Sequence, residues 1–252
     1  MKTTTKIILA AVAVLVLSVS AVAVKMIWFP SVDDAWFQLG PQKLKQVPAG
    51  KVIVRPTHFA RSEETGMIIL PKKMVGRNVP FKDLIATAYG ESAGRVVLPV
   101  DAPKNNFDFL VTVLSGRDEH LRAEIQKRTG FKAHPETRDA DVLALKIMDP
   151  ALPGLKESGA DEKPGQNMKG GRLYFTHQKL SMILEPLEHI IKTPVVDKTA
   201  LTGYYNFSVA WNPKIQKGEL TQDDVEAILK EWGLRLDPDV APMTMLVVEK
   251  AK

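Results

Sequence analysis

The sequence predicts an α+β fold in which two tandem similar lobes of βαββαββ type stand behind an N-terminal hydrophobic helix. Three observations predict it: an uncharged apolar run near the start, an internal repeat from residue 66 to the end, and alternation of strand-like and helix-like apolar spacing within each copy. At 252 residues, 45% hydrophobic and 25% charged, the composition is that of a chain able to bury a core, so disorder is not expected.

The elements follow in chain order. Lys2 and Lys6 precede an uncharged, almost wholly apolar run over residues 7–24, closed by Lys25. As a helix it would reach about 27 Å, close to a hydrocarbon thickness of roughly 30 Å. Ala21, Val22 and Ala23 form an A-x-A cleavage pattern, whereas Met26, Ile27, Trp28 and Phe29 continue the apolar character into an interfacial belt. Residues 1–24 therefore read as a signal peptide or a membrane anchor. Either way the body faces the periplasm or exterior, with Lys2 and Lys6 on the cytoplasmic side. Residues 25–50 read as a membrane-proximal connector: Ser31 before Asp33 and Asp34 opens a helix, Trp36, Phe37 and Leu44 are its apolar contacts, and Pro41, Pro48 and Gly50 limit it. Residues 51–150 hold a leading strand, Val52-Ile53-Val54, and the first lobe. A Gly- and Pro-rich linker, 151–167, leads to the second lobe, 168–252.

The repeat rests on matched blocks. Phe109 of the block Asn106-Phe107-Asp108-Phe109 matches Phe207 of Tyr205-Asn206-Phe207. Further on, Gly130-Phe131-Lys132-Ala133-His134-Pro135-Glu136 aligns with Gly233-Leu234-Arg235-Leu236-Asp237-Pro238-Asp239. Each copy closes on an apolar strand, Val142-Leu143-Ala144-Leu145 or Met245-Leu246-Val247-Val248. In copy one, Asn78 is positioned to cap a helix carrying Phe81, Leu84, Ile85, Ala88 and Tyr89 on one face, stopped by Gly90. Copy two places Leu180, Ile183, Leu184 and Leu187 on the matching face, with Pro186 expected to kink or shorten it. The second helix of each copy opens on a capping signature, Ser115 with Asp118 or Thr221 with Asp224, and ends at Gly130 or Gly233.

Chemistry is sparse. The absence of cysteine excludes disulfides, thiolate metal sites, cysteine nucleophiles and acylated cysteine. The net charge of +5 is spread along the chain without a basic block, which gives no case for nucleic acid. His58, His120, His134, His177 and His189 show no paired metal spacing, and Glu185, Glu188 and His189 do not form H-E-x-x-H. No nucleophile elbow, phosphate loop or dinucleotide fingerprint occurs, so no catalytic, cofactor or metal residue is assigned. Asp197-Lys198-Thr199 after Val195-Val196 is the one constellation with a catalytic form, a strand-end carboxylate able to attack a phosphoryl group. Tyr89, Phe107, Phe109, Tyr205 and Phe207 could line a binding face, but their positions in the repeat favour core packing.

Residues 54–59 (Val-Arg-Pro-Thr-His-Phe), 83–90 (Asp-Leu-Ile-Ala-Thr-Ala-Tyr-Gly), 106–108, 141–145 and above all 194–207 resemble the uncharacterised exported "soil-associated" proteins of soil bacteria, built on a domain of unknown function. Ala200 stands where that family has glycine. The resemblance implies an envelope protein without an established activity; some relatives carry such a domain beside a membrane sensor peptidase. Each copy also looks like the short N-terminal domain of secretins and TonB-dependent receptors, a protein-interaction module. The functional expectation is a non-enzymatic envelope module that binds protein, peptide or a cell-surface ligand, held at the membrane through residues 7–24. Its alternatives are a phosphotransferase or hydrolase using Asp197, and a structural spacer.

Overall fold

The computed structural model describes residues 34–60, 65–217 and 219–251; the apolar run 7–24 lies outside them. Among the described residues no helix is long and apolar enough to cross a membrane. After a turn at Asp34–Phe37 come α1 (Pro41–Gln46), β1 (Val52–Pro56), β2 (Gly66–Leu70), β3 (Lys73–Pro80), α2 (Phe81–Tyr89), β4 (Val96–Val97), β5 (Asn106–Val111), α3 (Arg117–Thr129) and β6 (Phe131–Ile147). Then follow β7 (Lys156–Glu157), β8 (Gly165–Lys169), β9 (Arg172–Lys179), α4 (Leu184–Ile191), β10 (Val195–Asp197), β11 (Tyr204–Ala210), α5 (Pro213–Lys217), α6 (Gln222–Glu231) and β12 (Leu234–Lys250). The fold is mixed α+β. The order strand, strand, helix, strand, strand, helix, strand runs from β2 to β6 and, with α5 added, from β8 to β12.

Three four-stranded sheets result: β1-β5-β3-β2, β10-β6-β12-β4 and β7-β11-β9-β8. The central one is built on an antiparallel ribbon in which β6 and β12 pair along their whole length, from Phe131 opposite Lys250 to Ile147 opposite Leu234. The short strands cross over: β10 runs parallel to β6 at Leu143, and β4 runs parallel to β12 at Leu246. Each core is therefore completed by the other half of the chain. Leu246 and Val248 of β12 belong to the cluster of Phe81, Phe109 and Leu121, while Leu145 of β6 belongs to the cluster of Leu187, Phe207 and Leu229.

The ribbon corrects the expectation of two strands after each second helix. β6 and β12 pass straight through Pro135 and Pro238. The Leu143 N–H is spent on the Pro194 carbonyl across the parallel edge, so its ribbon partner Pro238 stands where an N–H would point away from β6. With the two-residue period of a strand, Pro135 and Pro242 fall on the same outward set, where a missing donor breaks no ladder bond.

Two helix starts also differ. Asn78 does not cap α2, which begins after Pro80 without a side-chain cap. It sits instead at a bulge of β3 with φ +55, its N–H donating to Asp108 Oδ1 at 3.0 Å. Ser115 and Asp118 form no capping box: Gly116, at φ +61, is the N-cap of α3, and Arg117 Nε holds Asp118 Oδ1 at 2.8 Å. The box at Thr221 and Asp224 is complete. Pro186 is the third residue of α4, where its missing N–H would have had no intrahelical partner, and a single 3-10 turn at Leu180–Ile183 supplies the rest of the apolar stripe. Gly130 and Gly233 end α3 and α6 with φ of 75 and 79.

The outer faces of the first and last sheets are finished differently. Residues 34–48 lie over the first, burying Phe37, Leu44 and Val47 against Val75 and Leu110. Asp34 clamps this cover by accepting from Arg55 Nη2 at 2.7 Å, and Arg55 Nε reaches the buried Asp108 at 3.2 Å. On the last sheet Tyr174, Asn206 and Ser208 face outward, and the stretch expected to be a linker, 151–167, supplies β7 and the first residues of β8.

Candidate functional site

Strand alternation puts Leu173 and Phe175 of β9 and Phe207 and Val209 of β11 on the inner face of the last sheet. Opposite them, α4 presents Pro186, Leu187 and Ile190, and α6 presents Val225, Ile228 and Leu229. The two helices do not close over the sheet: a cavity of about 260 Å³ remains between them, open to solvent and walled at one end by Trp232. Ile215 and Leu220, from the connection carrying α5, complete the wall. Every lining side chain is apolar. The one polar atom they carry, Trp232 Nε1, is occupied by donating to the Ser208 carbonyl at 3.0 Å.

An aromatic stack holds this space. Phe175 and Phe207, cross-strand partners, lie with centroids 5.0 Å apart and an interplanar angle of 24°, and Phe207 meets Trp232 at 5.0 Å. In the first sheet the corresponding cross-strand pair is Gly76 and Phe109. A Cβ on Gly76 would fall within the Phe109 ring, so the ring lies directly over β3, and Phe109, Leu84, Ile85 and Leu121 are all fully buried. Around Phe109 the first half is sealed over its sheet; around Phe207 the second is open.

A second cavity, of about 330 Å³, lies beside α2, walled by β2, β3, the start of α3 and α4. Met67, Met74 and Thr87 meet there with a charged set in which Arg117 pairs with Asp118 at 2.8 Å and Lys192 with Asp83 at 3.7 Å. Beside it, Glu188 is almost wholly buried and accepts twice from Arg95, at 2.8 and 2.7 Å, and once from the Val195 N–H at 2.9 Å. This carboxylate hydrogen bond raises the Arg95 pKa, and the pair fastens α4 to the first half.

Residues carrying the catalytic alternative are structural in their contacts. Asp197 is exposed at the end of β10, and its Oδ1 accepts from the Thr199 N–H at 2.8 Å and the Thr199 hydroxyl at 2.6 Å, closing a turn. Ala200, in that turn, has φ +60, the left-handed conformation that suits the glycine expected there. Among the described residues no three His, Asp or Glu side chains converge as a metal site.

A Ser-His-Glu cluster that no sequence motif marks forms where Ser158 and Glu162, four residues apart, meet His177, nineteen residues from Ser158. Ser158 Oγ lies 2.9 Å from His177 Nδ1 and 2.7 Å from Glu162 Oε2, which also accepts from Asn206 Nδ2 at 2.6 Å. The Asn206 and Ser158 hydrogen bonds hold the Glu162 carboxyl below the usual range, so it is ionised at neutral pH and takes the single Ser158 proton. Ser158 Oγ thus donates to Glu162, and the direction of its contact with His177 Nδ1 follows the ring tautomer. The cluster braces a bulge: His177, at φ +50, donates its N–H to Asn206 Oδ1 at 2.8 Å.

The other histidines are solitary in role. His58 meets Asp34 at 3.0 Å, and His134 lies 3.8 Å from both Glu136 and Glu249. Of the five aromatics, Phe107, Phe109, Tyr205 and Phe207 are buried, and Tyr89 closes the edge of β6, donating to the Ala133 carbonyl at 2.8 Å and accepting its N–H at 3.1 Å. Phe207 alone among them also lines the open cavity.

The model of one family, described as "protein of unknown function (DUF3738)", matches residues 82–251, from the first turn of α2 through β12. The chain belongs to that family. The matched residues include those that form the ribbon, the last sheet and the open cavity. No curated protein and no solved structure matches the chain.

Proposed function

We propose that this DUF3738 protein is a non-enzymatic module of the bacterial cell envelope, exported or anchored through residues 7–24, which binds an apolar ligand or group in the cavity under its last sheet. The single observation that carries the reading is that cavity: about 260 Å³, open, and lined by apolar side chains only. A catalytic pocket needs convergent polar groups to polarise a substrate, and this one offers none.

The body is two copies of one unit, in keeping with the exported soil-associated family and with the likeness to secretin-type interaction domains. Three features support the duplication. The element order recurs, Phe109 and Phe207 hold the same cross-strand place, and each copy has a bulge whose left-handed residue, Asn78 or His177, donates its N–H to a side-chain oxygen of the next strand, Asp108 or Asn206. The first copy, sealed and covered by residues 34–48, supports; the second, with Phe175 where the first has Gly76, binds.

The test is a titration of the full chain with the fluorescent dye 1-anilinonaphthalene-8-sulfonate. One saturable site is expected, abolished by Ile190→Trp, which fills the cavity from α4. Absence of saturable binding would return the protein to the spacer reading, and binding that survives the filled variant would move the site elsewhere.

A further inference from the structure

We infer that the occupant of this cavity is a single hydrocarbon chain of about ten carbons, the acyl or alkyl part of a single-chain lipid whose head group stays at the mouth. The inference rests on the binding reading above and narrows it to one ligand chemistry.

The lining selects against a peptide. β9 is paired on both sides, by β8 and β11, so the middle of the floor presents side chains only; the far edge of β11 is paired by β7 at Tyr205 and Asn206, and beyond them Trp232 Nε1 occupies the Ser208 carbonyl, which obstructs the addition of a peptide strand. An inserted peptide would carry amide groups into a space where Trp232 Nε1 is already spent on Ser208. Buried amides without partners are disfavoured, whereas a chain of methylenes brings no polar group at all.

The opening selects against a second copy of the protein. A stable subunit interface covers roughly 800 Å² on each partner. Among the lining residues only Met182 and Pro186 are exposed, and the other exposed large apolar residues, such as Val100, Leu114 and Val240, are not part of the lining. A small mouth over a deeper dry space suits a narrow ligand entering end-on.

Size sets the length. A dry cavity of about 150 Å³ admits benzene, with its six carbons. By that proportion the 260 Å³ here accommodates about ten carbons. The longer connection between β11 and α6, residues 211–221, supplies Ile215 and Leu220 to the wall, whereas residues 112–116 join β5 to α3 directly. The second half thus carries extra chain where an apolar ligand has to be covered.

The experiment is a calorimetric titration of the full chain in detergent-free buffer with hexan-1-ol, octan-1-ol, decan-1-ol and dodecan-1-ol, with tryptophan emission followed in parallel because Trp232 is one wall. Affinity is expected to rise about fourfold per methylene, the factor corresponding to 0.8 kcal/mol, up to about ten carbons and then to level off. Ile190→Trp and Ile228→Phe, each checked for folding by circular dichroism, are expected to weaken decan-1-ol at least tenfold. If the first variant does not fold, the second carries the comparison. Dye binding without a chain-length dependence would overturn the hydrocarbon assignment and leave the binding reading standing. Alkanol affinity that rises as steeply from decan-1-ol to dodecan-1-ol as before, or that persists in the folded filled variants, would overturn the site.

Discussion

Replacing Gly76 by alanine tests the contrast between the two halves at its origin. An ideal Cβ at this position lies 2.6 Å from Phe109 Cδ1 and 2.7 Å from Cζ, far inside the roughly 3.5–4.0 Å at which carbon atoms rest against each other. Phe109 is 0% exposed and packed beneath α2 and α3, so the ring cannot swing clear without displacing Leu84, Ile85 or Leu121, which are equally buried. Overpacking of this kind costs about 1–3 kcal/mol. For a chain of this size that is a fall in Tm of about 2–12 °C, measured by scanning calorimetry. The mechanism is isolated by repeating the substitution in a Phe109→Leu background, where the smaller side chain leaves room and the increment should drop below about 0.5 kcal/mol. A loss of the same size in both backgrounds, or a Gly76→Ala protein as stable as wild type, would refute the steric account of why the first half is sealed.

Ala200→Gly is expected to stabilise the protein by about 0.5–1 kcal/mol in a chemical denaturation, because the left-handed φ of +60 costs an L-residue more than glycine loses in unfolded-chain entropy; a destabilised variant would contradict this. Glu188→Gln is expected to destabilise by about 1–3 kcal/mol, since the amide cannot take both Arg95 donors and keep the Val195 N–H, and unchanged stability would show that α4 is fastened by other contacts. The Asp224 carboxyl is lowered from 3.8 to about 2 by Lys214 and then by the Thr221 N–H and hydroxyl. Its folded pKa lies below the unfolded one, so its support for the start of α6 is complete above the ordinary carboxylate range and is lost as pH falls through about 2. An NMR titration of its side-chain carbon should show that midpoint, and one near 3.8 would mean the box is open in solution.

Much of the fold could be read locally. The Val52-Ile53-Val54 strand, the apolar stripe of α2, the capping box of α6 and the helix-ending glycines each depend on residues close in sequence, and local chemistry decides them. The ribbon could not be read this way, because whether Pro135 or Pro238 breaks a strand depends on which edge its nitrogen faces, and that is set by a partner about a hundred residues away. The crossing of β4 to β12 and of β10 to β6 is non-local in the same sense: Val96-Val97 and Val195-Val196 are apolar strands with no mark of which half of the chain they join. The cavity was missed for a related reason. Phe207 was singled out, but its openness follows from the cross-strand neighbour being Phe175 where Phe109 has Gly76, together with Trp232 and a longer connection, and no motif joins these positions. The Asp197 turn, by contrast, lies within the recognisable block 194–207, but Ala200 in place of the expected glycine left its backbone conformation open, and the structure gives it φ +60.

The most direct measurement of the central claim, that the second half keeps an open apolar cavity around Phe207 where the first is sealed around Phe109, is a crystal of the protein pressurised with xenon, a gas that enters dry apolar cavities. Xenon is expected between α4, α6 and the last sheet, against Phe175, Phe207 and Trp232, with none between α2, α3 and the first sheet around Phe109. Xenon beside Phe109, or an empty space beside Trp232, would contradict the account.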